Sequence, residues 1–122
     1  MVRTIVGVIV GVVAWFVVVL GVSFALRALA PDIAAALAAH ATTAAMAERL
    51  LISFVGSVLG GYLAARVGGS RAALIAGVLL LAFWGYYHVT VIWNQFPLWY
   101  HLTFFVSLPL LAVIGARLSG RR

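Results

Sequence analysis

His88 and His101 are the two side chains of this chain best suited to chemistry. They stand at equal sequence distance from the midpoint of Asn94 and Gln95, in a polar stretch that ends at Pro97. If the chain turns there, an antiparallel hairpin carries both imidazoles to one depth, about 6–10 Å below the turn at about 1.5 Å per residue. Imidazole binds metals and haem and carries protons near neutral pH. A metal site, if there is one, would use His88 and His101. No Asp, Glu or Cys lies beside them in sequence to complete a zinc or iron set. His40 and Glu48 would reach them only if the outer segment folded over the hairpin. The leading expectation is interfacial or hydrogen-bonded histidines with no cofactor. A metal or haem site, and a quinone, lipid or proton site, remain open. Whether the rings face each other depends on helix rotation, which the sequence leaves undecided.

Large rings gather around these histidines. Trp84, Tyr87, His88 and Val91 share one helical face by their spacing. Pro97, His101, Phe104, Phe105 and Leu108 share another. Trp99 and Tyr100 lie between them in sequence. Two such faces could wall a pocket, or they could present their rings to lipid headgroups as an aromatic belt. Glu48 and Arg49 add charge about one turn inside a long apolar run. Ionisable groups in a span are candidates for function, although an Arg near a helix end can snorkel to the surface. Adjacent residues diverge by about 100° on a helix, so Arg27 is a better partner for Glu48 than Arg49 is. The candidate ligand-binding set is His88, His101, Trp84, Trp99, Tyr100, Glu48 and Arg49. The chain carries no Gly-rich phosphate loop with Lys, no His-Glu-x-x-His and no Gly-x-Ser-x-Gly. No catalytic residue and no enzymatic activity are expected.

The elements that position these residues follow from composition. The 122 residues are 66% hydrophobic and 8% charged. A water-exposed globule carries about 25% charged residues, so the bilayer is the solvent this chain suits. Without cysteine, disulfides and thiolate ligands are impossible. The patterning predicts an all-α integral membrane bundle of four spans, about 4–28, 44–66, 71–93 and 97–118, in one domain covering 1–122. The first apolar run is longer than the about 7–15 residues of a signal-peptide core, and Pro31 would follow the cut; it reads as a retained helix. A short Ala-rich segment lies between the first two spans. Pro31 and Asp32 suit the start of an interfacial helix at about 31–40; the alternative is one helix continuous with the second span. Gly68 and Gly69 are expected to end the second span, with Ser70 capping the third.

All eight basic residues are arginine. Arg3, Arg66, Arg71, Arg117, Arg121 and Arg122 fall at one end of the four-span layout, and Arg27 and Arg49 at the other. The positive-inside rule puts both termini and the 66–71 turn in the cytoplasm. This charge pattern fits topology, not nucleic acid.

Small residues recur at helical spacing. Gly7 and Gly11 are four apart, as are Gly56 and Gly60, with Ser53, Ser57 and Gly61 beside the latter pair. Gly77 and Gly85 extend the pattern to the third span. Such faces let helix backbones approach closely in lipid. They read as contacts within the bundle or a dimer, with a ligand groove as the alternative. "GGYLAAR" at 60–66, closing one span before a short Gly-containing turn, resembles uncharacterised small four-helix bacterial membrane proteins with a G-G-Y-x-A-A-R motif. That resemblance implies a four-span inner-membrane protein of bacteria and no particular activity. Small four-helix multidrug exporters are similar in layout, but they use a glutamate in the first span, which has no acid here.

The expectation from sequence is a small non-enzymatic membrane protein. It would be a structural or accessory subunit, packing through small-residue faces against itself or a larger complex in the lipid bilayer. The alternative is a binding or transport protein for a small molecule, lipid, quinone, haem or metal, with its site at the outer end of spans two to four.

Overall fold

A computed structural model describes residues 1–39 and 43–120; His40, Arg121 and Arg122 lie outside them. The described chain is helical throughout its elements, with no strand. Helix α1 is Val2–Leu29, α2 is Pro31–Ala39, α3 is Thr43–Gly68, α4 is Ser70–Tyr87 and α5 is Leu98–Leu118. A π-helical turn, His88–Ile92, and a 3-10 turn, Trp93–Gln95, prolong α4. Four helices are long and apolar enough to cross a membrane: α1, α3, α4 with its extension, and α5.

Local chemistry explains the boundaries. Pro31 opens α2 with Asp32 in its first turn, where a missing N–H is harmless and a carboxylate meets the positive end of the helix. Between α3 and α4 the break falls on Gly69, at φ 86°, a left-handed backbone that glycine adopts without cost. Gly69, not Ser70, therefore precedes the first turn of α4. Pro97, extended at φ −70° and ψ 159°, stands just before α5.

The helices pack antiparallel in sequence order, and their small residues decide where. A Cβ built on Gly7 would meet Ala64 and Gly68; one on Gly11 would meet Gly60 and Ala64; one on Gly56 would meet Trp15 and Val19. These contacts run α1 down the length of α3. On the other side of α3, a Cβ on Gly61 would land on the Ala112 carbonyl, and one on Gly115 on the Val58 carbonyl. Gly77 of α4 faces Pro109 and Ala112 of α5. Helix α3 thus lies between α1 and α5, and its small-residue face is filled by them. Gly85 has nothing within 4 Å of a built Cβ and contributes no close approach. Lipid offers no hydrophobic drive for association, so this backbone-to-backbone fit is what holds such a bundle.

Side-chain size grades the bundle from end to end. At one end Ala64, Ala65, Ala72, Ala73 and Ala116 form a tight core. The Arg3 Nε–H donates to the Val67 carbonyl there at 3.4 Å. Toward the other end the core changes to Trp15, Met46, Leu50, Leu80, Tyr100, Phe104 and Leu108. Small residues let axes close and bulky ones hold them apart. Space therefore opens at the end where the rings are. Ile5, Ile9, Val13, Val17 and Leu20 of α1 remain exposed on the outside, as lipid-facing side chains would be.

Candidate functional site

His88 and His101 face each other. Their Nδ1 atoms are 2.8 Å apart, and the residues are 2% and 0% exposed. The antiparallel α4–α5 pair gives the matched depth. The π-helical turn that begins at His88 widens the helix locally, a feature often found at functional sites. Each ring is held by stacking. His88 lies on Phe104, centroids 4.5 Å apart, and on Tyr100 at 5.7 Å. His101 lies on Trp93 at 4.5 Å, with the planes 9° from parallel.

The hydrogen bonds assign the protons. His101 Nε2 is 3.0 Å from the Trp93 carbonyl oxygen. A carbonyl only accepts, so His101 Nε2 carries the hydrogen. In a neutral imidazole the other nitrogen is then bare. His101 Nδ1 must accept, and His88 Nδ1–H must donate across the 2.8 Å contact. By the same rule neutral His88 has a bare Nε2. That atom has no hydrogen-bond partner among the described residues, while His88 lines a cavity. The pair therefore keeps one bare acceptor, His88 Nε2, on a residue that borders the cavity, and its polarity is fixed from behind by a backbone carbonyl.

The cavity measures about 300 Å³. Its wall includes Trp15, Ser53, Trp84, Tyr87, Tyr100 and Phe104, and Arg27, Glu48 and Arg49 supply its charge. Ala34 of α2 also borders it. Two polar atoms of wall residues, Ser53 Oγ and Trp84 Nε1, are buried with no hydrogen-bond partner among the described residues. Most buried polar atoms in proteins are paired, and each unpaired one costs about 1–3 kcal/mol. A third, Trp15 Nε1, donates to Ser57 Oγ at 3.1 Å. Arg49 holds its guanidinium 5.1 Å from the centre of the Phe96 ring, a cation–π geometry. Arg27 and Glu48 border the same cavity, but no ion pair within 4.0 Å joins them among the described residues.

Of the seven residues singled out from sequence, five line this cavity: His88, Trp84, Tyr100, Glu48 and Arg49. His101 stands behind His88. Trp99 is turned away, 48% exposed, because it and inward-facing Tyr100 are neighbours on one helix and point about 100° apart. Sequence reasoning missed the contribution of α1 through Trp15, Ser23 and Leu26, and that of Ser53 as more than a packing residue. One signal was present. Trp15 is the only tryptophan outside the 83–105 stretch, and it lies four residues beyond Gly11 on the same face.

Among the described residues no three His, Cys, Asp or Glu side chains come close enough to hold a metal ion. Comparison with protein-family models, curated proteins and solved structures returns no match.

Proposed function

We propose that this chain is a multi-pass membrane protein that binds a small molecule in the cavity between α1, α3, α4 and α5, without catalysing its reaction. The observation that carries the reading is the cavity itself, which brings His88, Glu48, Arg27 and Arg49 together among aromatic rings inside the bundle. A wall meant only to pack would be better served by apolar residues. The size, about 300 Å³, is at the small end of the roughly 300–1,000 Å³ usual for ligand pockets.

The small-residue faces of α1 and α3 that would have docked a partner are used within the chain's own bundle. Any homo-oligomer or larger complex would form through the exposed aliphatic faces instead. The proposed setting is a bacterial inner membrane with both termini in the cytoplasm. Among the described residues, Arg3, Arg66, Arg71 and Arg117 at the closed end against Arg27 and Arg49 at the cavity end favour that orientation. The cavity then opens in the outer leaflet, under α2.

Filling the cavity tests the function. Ser23 borders it from α1 and is only half-buried, so Ser23→Trp adds a ring to the cavity without displacing core. Purified from its membrane and extracted with organic solvent, the unaltered protein should yield a small molecule in near-stoichiometric amount by mass spectrometry. The Ser23→Trp protein should yield about tenfold less. Equal, trace recovery from both would remove the binding function.

A further inference from the structure

The chemistry of the cavity narrows the class of ligand, granted the binding reading above. Three features bear on it. The wall is aromatic, with Trp15, Trp84, Tyr87, Tyr100 and Phe104, and rings of this kind favour a ring between them, stacked or edge-on. The charged groups are two arginines and one glutamate. That balance disfavours a cation, although an aromatic cage would otherwise suit one. Wall groups away from those charges are neutral: Ser53, Trp84 and His88. An anion drawn inward would leave water with no buried cation to receive it. What remains is a neutral ring.

The histidine pair then specifies the ring's substituent. His101 is committed to the Trp93 carbonyl through Nε2 and to His88 through Nδ1. His88 therefore meets the cavity as an acceptor at Nε2, and a ligand gains there only by bringing a donor. A hydroxyl on an aromatic ring supplies that donor, and its ring suits the aromatic wall.

We propose that the cavity binds neutral hydroxylated aromatic rings, of the phenol or hydroquinone class, with the ring hydroxyl donating to His88 Nε2. The proposal concerns binding alone, with no bond made or broken. The volume sets the scale at one or two fused rings with short substituents, not a macrocycle.

The test compares 1-naphthol, its O-methyl ether and naphthalene on the full chain in lipid nanodiscs. Quenching of the protein's tryptophan fluorescence reads binding, corrected for partition into empty nanodiscs. The expected result is that 1-naphthol binds about tenfold tighter than either analogue, the factor one net hydrogen bond gives. His88→Phe, which keeps a ring and removes the acceptor, should bring naphthol to the level of naphthalene. The ether comparison needs no variant, so it decides the matter even if His88→Phe fails to fold. Equal affinity for all three probes, lost in Ser23→Trp, would overturn the phenol proposal and leave the binding cavity standing. No saturable binding of any probe, with Ser23→Trp indistinguishable from the unaltered chain, would overturn both.

Discussion

Gly61→Ala is expected to destabilise the bundle by about 2–3 kcal/mol, toward the upper end of the usual cost of overpacking. The new methyl would land on the Ala112 carbonyl, a backbone atom of α5. A flexible side chain could step aside, but two helix backbones in contact along several turns cannot do so locally. The axes must separate, and separation loosens the neighbouring contact of Gly115 with Val58. Gly85→Ala is the matched control, since nothing lies within 4 Å of its built Cβ. There the exchange should be neutral, or stabilising by up to about 1 kcal/mol through helix propensity. Reversible unfolding in mixed micelles, followed by tryptophan fluorescence, measures both. Equal effects at the two glycines would contradict the α3–α5 packing described above.

His101→Ala is expected to cost about 3 kcal/mol or more. The substitution empties a fully buried site stacked on Trp93, a loss typical of large-to-small core changes. It also strips the Nδ1–H of His88 of its acceptor inside the bundle, which adds a desolvation cost. His88→Ala should be costly for the mirrored reason. Because each single change already breaks the shared hydrogen bond, the double substitution should cost about 1–2 kcal/mol less than the two singles together. The same unfolding assay closes the cycle. Additivity within about 0.5 kcal/mol would mean the two rings do not depend on each other.

Much of the fold was legible in the residues, because a chain with 8% charge leaves few solvents and few shapes. Long apolar runs gave spans, and prolines and glycines gave their ends. The equal spacing of His88 and His101 about 94–95 gave their shared depth. Their rotation was not legible. Periodicity assumes 3.6 residues per turn, and the π-helical turn at His88–Ile92 breaks that count where it matters. The Gly7–Gly11 and Gly56–Gly60 spacings showed that close faces exist but not which helix fills each. That depends on axial register between distant segments, set by side-chain size along the whole crossing. For the same reason α1 could not be seen as part of the site. Ser23 and Trp15 reach the cavity only because Gly7 and Gly11 seat α1 against α3 at one height. Trp99 is 48% exposed and does not line the cavity, a direction that closeness in sequence to Tyr100 leaves undecided.

A buried imidazole pair, its protons ordered by the Trp93 carbonyl, stands behind the cavity. Nitrogen-15 magic-angle-spinning NMR of imidazole-labelled protein in lipid bilayers at neutral pH reads it directly, with His40→Asn removing the third histidine signal. The prediction is two neutral rings of opposite tautomer. His88 should be protonated at Nδ1 and bare at Nε2, His101 bare at Nδ1 and protonated at Nε2, with coupling between the facing Nδ1 atoms. Two rings of the same tautomer, or no Nδ1–Nδ1 coupling, would contradict it.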